Sequence, residues 1–345
     1  MSTLAETLAT HYGLTAVEIT PVPGGYIHQV WRAGDHVVKV YRGAEWTPAT
    51  IAPTLAIQTH AAAAGHPVPE VRRTLKGDWL APSPEGWMAV SAFAPGAHLR
   101  AGEATETAAG QIGAALGRLH RTLAVLPAGP SAIPENGLIQ ERAESLLAAA
   151  RGRATPHPSN GTARAGGLNE VDGPDETDNL AMAAAAFRLE AIGRAPIDPG
   201  AYAGEVFQVV HGDYYPGNLL FHPDGRVSAI LDWDFAGPRW RGLEVARALV
   251  ETALMPDGGL DRGRAIAFLQ GYTAEQPLTL AERQHMFRLW YDYLLASLYP
   301  LPLRYQPGAV LPNGWQGLAR RRHGMLMLLH AHMDSLTALA VTIIS

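Results

Sequence analysis

The stretch HGDYYPGN, His211 to Asn218, sets an aspartate and an asparagine five residues apart around a proline–glycine turn. Further on, the run VSAIL ends at a second aspartate, Asp232. Phosphoryl transfer to a hydroxyl uses such a set. One carboxylate accepts the hydroxyl proton, and two oxygen-bearing side chains hold a hard divalent cation against the phosphates. Magnesium prefers carboxylate and phosphate oxygens over nitrogen or sulfur. Asp213 is therefore the candidate base, and Asn218 and Asp232 are the candidate magnesium ligands. Asp234, in the same DWD run, stands behind those ligands, against a cationic acceptor, or simply in solvent.

These residues need elements to bring them together. VFQVV reads as a short buried strand that delivers His211, Gly212 and Asp213 to its end. NLLF and VSAIL read as a hairpin joined by HPDG, which sets Asn218 beside Asp232 at one edge of a small sheet. Upstream, only two lysines occur, Lys39 and Lys76. Lys39 lies in the apolar run HVVKVY. A buried ammonium is costly unless paired, so a phosphate or a carboxylate is expected to meet it.

The chain to about residue 95 is strand-rich. AVEITPV, IHQVWRA, HVVKVY, RTLKGDWLA and GWMAVSAFA are the expected strands, with Gly34-Asp35 as a hairpin turn. One helix is expected from Thr47 to Ala64, with Thr47 as N-cap and Pro48 as its first residue. From about residue 101 the pattern becomes helical. Ile112, Leu116, Leu119 and Leu123 share a helical face, and further helices follow to the C-terminus. Residues 152–179 hold no apolar periodicity and are rich in Gly, Pro, Ser, Thr and Asn, so a long mobile surface loop is expected there. The division that follows is a nucleotide-binding lobe over 1–95 and a helical lobe with catalytic loop and acceptor site over 96–345.

HGDYYPGNLLF followed by ILDWDFAG resembles the paired signature of the aminoglycoside phosphotransferase and choline kinase-like family. The resemblance implies an α+β, protein-kinase-like fold, with a small antiparallel-sheet lobe carrying one main helix and a mostly helical second lobe. GRLHRTL is similar to a helix that packs behind the catalytic loop, and GLEVARAL to the helix after the metal-binding aspartate, with Glu244 where an aspartate is usual. PGGYIHQVWRA stands at the nucleotide-covering loop, so Gly24 and Gly25 are expected near phosphate. Ser91 and Phe93 belong to the segment joining the lobes, whose backbone meets the adenine. Lys39 would pair with the inner phosphates, and His211 would brace the catalytic loop.

The resemblance covers roughly Pro21 to Leu249, interrupted by residues 152–179. One departure stands out. Kinases pair the strand lysine with a glutamate on the next helix, whereas here no carboxylate lies between Glu45 and Glu70. Glu45 is the nearest candidate. The implied cofactors are ATP, with GTP as a possible donor, and Mg2+. The implied activity moves the γ-phosphoryl group to a hydroxyl of a small molecule, an aminoglycoside-type or other amine-bearing acceptor. Asp234, Asp292, Glu251 and Asp257 mildly favour a cationic one. Antibiotic resistance is the biological setting such an acceptor suggests. Homoserine, choline or a sugar is the alternative acceptor. A non-catalytic nucleotide- or ligand-binding protein is the competing class, prompted by the missing helix glutamate.

Composition narrows the remaining possibilities. A net charge of −5 and a pI near 6.3 provide no global basic field for nucleic acid. No cysteine is present, which removes disulfides, thiolate nucleophiles and cysteine-based zinc sites. The N-terminus MSTLAETLATHYG lacks the basic and apolar regions of a secretory signal, and alanine-rich stretches are broken by polar residues. A cytoplasmic protein with no membrane partner is expected.

Overall fold

The computed structural model describes residues 3–22, 28–99, 102–129, 135–154, 175–309, 311 and 314–343. The chain forms two compact units. The first takes Met1–Ser131, Gly204–Trp290 and His332–Ser345, and the second Ala132–Ala203 and Tyr291–Ala331. The expected lobe boundary near residue 95 falls inside the first unit.

The first unit opens with helix α1 (Leu4–Tyr12), which the strand-rich reading had not foreseen. Thr3 caps it in a reciprocal capping box with Glu6, and Gly13 ends it in the left-handed region. Strands β1 (Ile19–Pro21), β2 (Gln29–Ala33) and β3 (His36–Tyr41), helix α2 (Pro48–Ala63), and strands β4 (Val71–Arg72), β5 (Ala81–Ser83) and β6 (Gly86–Ala92) follow. The sheet is antiparallel in the order β1-β2-β3-β6-β4, with β5 also on β6. The Gly34-Asp35 hairpin pairs Ala33 with His36, as the turn signal requires. RTLKGDWLA is not a strand. The Thr74 hydroxyl accepts the Asp78 N–H at 3.0 Å and Gly77 turns at φ 87°, so the segment folds into a tight turn between β4 and β5.

Alternation along β3 decides where Lys39 goes. Val38 and Val40 pack with Leu8, Tyr12, Met88 and Val90 under α1. Lys39 and Tyr41 share the opposite face, where Tyr41 packs with Ile51 and Leu55 of α2.

Helix α3 (Glu106–Leu123) fully buries Ile112, Leu116, Leu119 and Leu123. It lies very close to α7 (Arg262–Glu275). A Cβ on Gly113 would sit 2.1 Å from the Phe268 carbonyl oxygen, and one on Gly271 2.1 Å from that of Gly110. Only hydrogens at these positions let the two backbones approach so closely.

Between α3 and α7 the chain makes strands β7 (Phe207–Val210), β8 (Leu219–Phe221), β9 (Val227–Ile230) and β10 (Gly237–Trp240), then helix α6 (Arg241–Ala253). The expected β8–β9 hairpin is present, with Leu219 opposite Ile230. The expected single small sheet is instead two ladders: β7 pairs with β10, Val210 opposite Gly237. The turn after DWD brings the chain back as a partner for VFQV, which the hairpin pattern alone does not encode.

The second unit holds α4 (Asn136–Ala154) and α5 (Glu176–Arg194), packed through Ala143, Leu146, Ala150, Ala181, Ala184 and Ala185. The expected loop over 152–179 is therefore shorter at both ends. Helix α4 runs to Ala154, and Asp175 caps α5 by accepting the N–H groups of Thr177 and Asp178. The rest of that segment, 155–174, lies outside the described residues. Helices α8 (Leu280–Ala296) and α9 (Trp315–Ile343) contribute to both units.

By length and composition α9 could cross a bilayer, with an 18-residue window of mean hydropathy 1.4. Unlike the alanine-rich stretches, α9 joins Met, Leu and Val with His and gathers Arg320, Arg321 and Arg322 near its start. Its buried residues Met325, Leu326, Leu329, Leu336 and Leu339 recur at helical spacing.

Candidate active site

The sequence HGD begins where β7 ends. Gly212 adopts φ 83°, and a Cβ there would meet the Phe235 carbonyl oxygen at 2.0 Å, so the loop requires glycine. Glu244 of α6, 2 % exposed, accepts the backbone N–H groups of His211 at 3.1 Å and Gly212 at 2.5 Å. His120 of α3 meets the same carboxylate through Nε2 at 2.8 Å, and its Nδ1 bonds the Tyr272 hydroxyl of α7 at 2.8 Å. Burial opposes ionisation of Glu244, but the bonds from His120 and the Gly212 amide outweigh it and hold its pKa below the usual range. The helix similar to one behind the catalytic loop thus reaches that loop through the buried Glu244, and directly where the Tyr214 hydroxyl donates to the Ile112 carbonyl at 3.0 Å.

His211 is fully buried. Its Nδ1 accepts the Asp213 N–H at 3.2 Å and its Nε2 donates to the Leu231 carbonyl at 2.9 Å. Burial pushes its pKa down despite the nearby carboxylates of Glu244, Asp213 and Asp232. With both nitrogens engaged and the ring neutral, it ties the loop to the strand that leads to Asp232.

Asp213, Asn218 and Asp232 are brought to one place. Asn218 Nδ2 donates to Asp213 Oδ2 at 2.7 Å and to the Asp213 carbonyl at 2.9 Å. The Leu231 N–H donates to the Asn218 carbonyl at 2.8 Å, which sets Asp232 beside Asn218 across the open end of the hairpin. Asp232 itself adopts φ 60°, uncommon for a residue with a side chain and typical of functional turns.

Lys39 completes the group. Its ammonium bonds Asp232 Oδ1 at 2.8 Å and also Asp234 Oδ2. Burial works against the Lys39 charge, and the carboxylates of Asp232 and Asp234 more than offset it, so its pKa is raised. Asp234 is 8 % exposed, accepts the Tyr41 hydroxyl at 3.0 Å and lies 3.4 Å from His28 Nε2. Burial raises its pKa, and Asp232 adds to this against the opposing pull of Lys39. In Asp232, burial is outweighed by Lys39 and the pKa falls. These contacts answer the question raised by the missing helix glutamate. Lys39 is held by the two aspartates of DWD, while Glu45 is exposed with its carboxylate against Gly43.

Asn218 and Asp232 offer oxygen donors only. Among the described residues no three His, Cys, Asp or Glu side chains form a metal cage. One carboxylate and one amide suit magnesium, which is usually bound by one or two carboxylates together with substrate phosphates and water.

Of the remaining expected residues, Ser91 lies on β6 opposite Val37 and Val71. Phe93 donates its N–H to the Asp35 carbonyl at 2.8 Å, and the Arg32 guanidinium covers its half-exposed ring at 4.0 Å. Gly24 and Gly25 lie outside the described residues. Two of the acids that favoured a cationic acceptor are committed elsewhere: Asp234 to Lys39 and Tyr41, and Asp292, 1 % exposed, to the Tyr202 hydroxyl at 2.6 Å.

Sequence reasoning missed Arg247 and Tyr41, and gave His28 no role. Arg247 of α6 pairs with Asp213 Oδ1 at 2.5 Å. Tyr41 was legible as the residue two beyond Lys39 on one strand face, and Arg247 as one helical turn beyond Glu244.

Residues 18–278 match the phosphotransferase enzyme family, APH. The chain belongs to that family. A homoserine kinase of Caulobacter sp. (strain K31) is 36 % identical over 75 residues, a match spanning 22 % of this chain and only 23 % of that relative. Among solved structures, a spectinomycin phosphotransferase in complex with ADP and spectinomycin superimposes with a TM-score of 0.58 at 14 % identity, over 99 % of this chain and 97 % of the other. An aminoglycoside phosphotransferase from Alicyclobacillus acidocaldarius gives 0.55 at 17 % identity, over 95 % and 92 %. These two likenesses establish the shared α+β, protein-kinase-like fold for this family member.

Proposed function

We propose that this chain is an ATP-dependent phosphotransferase that moves the γ-phosphoryl group to a hydroxyl of an amine-bearing small molecule. Support comes above all from the Lys39–Asp232 ion pair at 2.8 Å in a chain whose Asp213 and Asn218 are joined at 2.7 Å. Asp213 accepts the acceptor's hydroxyl proton as the oxygen attacks the γ-phosphorus, while the bond from that phosphorus to the β–γ bridging oxygen breaks and ADP leaves. The Lys39 ammonium, drawn by nucleotide, pairs with the inner phosphates. Asn218 and Asp232 would hold magnesium, which supplies charge neutralisation at the phosphate oxygens when bound. His211 and Glu244 keep the loop in register, and positioning carries much of the rate. The backbone about Ser91 and Phe93 receives the base. The DWD partners of Lys39 remove the main reason for a non-catalytic reading.

The amine in the acceptor rests on the relatives rather than on the acidic residues. The homoserine kinase match and the spectinomycin and aminoglycoside phosphotransferase likenesses point to alcohols of this class, with homoserine inside it. The test is ADP release with magnesium and ATP, and with GTP in parallel. The acceptor panel contains aminoglycosides, spectinomycin, homoserine, choline and a simple sugar. Acceptor-dependent release is expected, and Asp213→Asn should lower it by roughly 10²- to 10⁴-fold. Equal rates for the wild type and Asp213→Asn would sink the proposal.

A further inference from the structure

The Asp213 carboxylate is held from two sides. Asn218 Nδ2 donates to Oδ2 at 2.7 Å, from within the same loop. Arg247 pairs with Oδ1 at 2.5 Å, from α6. Arg247 also donates to the Gly212 carbonyl at 3.4 Å, and its guanidinium carbon lies 5.4 Å from the Tyr215 ring centre. One helical turn earlier, Glu244 accepts the N–H groups of His211 and Gly212. Helix α6 therefore grips the His-Gly-Asp segment through both backbone and side chain. Glu244 fixes where the loop lies, and Arg247 fixes how its last carboxylate points.

An ionised carboxylate offers about four lone-pair sites on its two oxygens. Arg247 and Asn218 take one on each, which stops rotation about the Cβ–Cγ bond and leaves room for a hydroxyl donor. Both side chains of the ion pair are only 20 % exposed, so water competes weakly with the contact. A guanidinium does this better than an ammonium because its planar fork can meet the carboxylate and the Gly212 carbonyl together.

We propose that Arg247 is a positioning residue that holds the Asp213 carboxylate oriented toward the acceptor hydroxyl. The proposal rests on the phosphotransferase reading above. Lys39 pairs with Asp232 and Asp234, whereas Arg247 pairs with Asp213, so the nucleotide half of the reaction should feel the loss of Arg247 far less than the acceptor half.

The test uses the full chain with Arg247→Met and Arg247→Lys. In Arg247→Met, kcat should fall by about 10- to 100-fold, as misaligned reacting groups do. KM for ATP should stay within about threefold of wild type, since binding and chemistry separate in this way when only transition-state alignment is lost. A larger share of ATP turnover should go to water instead of the acceptor. Arg247→Lys should recover part of the kcat, because the charge returns without the fork. Wild-type kcat in Arg247→Met overturns the proposal, as does a loss confined to KM for ATP. If Arg247→Met does not fold, Arg247→Lys decides: wild-type kcat together with a wild-type split between acceptor and water overturns the proposal. A crystal structure of either folded variant reads the same point without turnover. Asp213 should leave Asn218 in Arg247→Met, and an unmoved carboxylate overturns the clamp whether or not any acceptor has been found. Failure of the wild type to transfer to any acceptor speaks instead against the phosphotransferase reading.

Discussion

At the scale of single residues, the least settled group is His28. It is 6 % exposed, its ring packs 4.6 Å from Tyr41 and 4.5 Å from Trp46, and neither ring nitrogen has a hydrogen-bond partner. Burial, helped by the Lys39 ammonium, pushes its pKa down to about 4. An unfolded histidine titrates near 6.5. Between these two values the unfolded chain binds a proton that the folded chain refuses, so stability falls as pH drops through that window. The full effect is at most about 3 kcal/mol, reached below the folded value. Urea midpoints at pH 5 and pH 7 should therefore differ less in His28→Asn than in wild type. His66, His211 and His323 are held low by burial as well and keep part of the slope in both proteins. An unchanged pH difference would mean that His28 is not held neutral. The same residue scale explains why Lys39 tolerates its setting: two aspartates on one short turn supply the charge that a helix glutamate supplies in kinases.

Elements carry predictions of a different kind. Gly113→Ala should destabilise by more than about 2 kcal/mol, because the new methyl would press on backbone that cannot yield alone. Gly324→Ala in α9 meets nothing within 4 Å and should stabilise by roughly 0.5–1 kcal/mol. Thermal unfolding of the two variants side by side checks the contrast, and equal behaviour would contradict the close approach of α3 and α7. Much of this level was legible in the sequence. The Gly34-Asp35 hairpin, the Thr47 start of α2, the buried stripe of α3 and the β8–β9 hairpin all follow from local turn chemistry and periodicity. So does the meeting of Asn218 with Asp232, since a hairpin needs only neighbours in the chain. The pairing of β7 with β10 was not legible, nor was the Lys39–Asp234 contact, because each joins segments whose partner is chosen by packing rather than by pattern. Helix α1 was passed over because nine residues with mixed polarity give a weak periodic signal.

For the whole molecule, the two-unit division and the proposed nucleotide site lead to a measurement of binding. Magnesium with ATP should raise the melting temperature of the wild type, since a ligand at about 100 times its Kd adds about 2.7 kcal/mol. Removal of magnesium with a chelator should abolish most of that shift, and Lys39→Met or Asp232→Asn should show little of it. A shift of wild-type size in Asp232→Asn would place the nucleotide elsewhere. The order of segments has an effect that reaches beyond binding. His332–Ser345 belongs to the same unit as Lys39 and Asp213, although Tyr291–Ala331 intervenes in the chain. Leu336, Leu339 and Ala340 are buried there. Cutting the chain before His332 would thus strip packing from the unit that holds Lys39 and Asp213, a loss felt far from the cut in sequence.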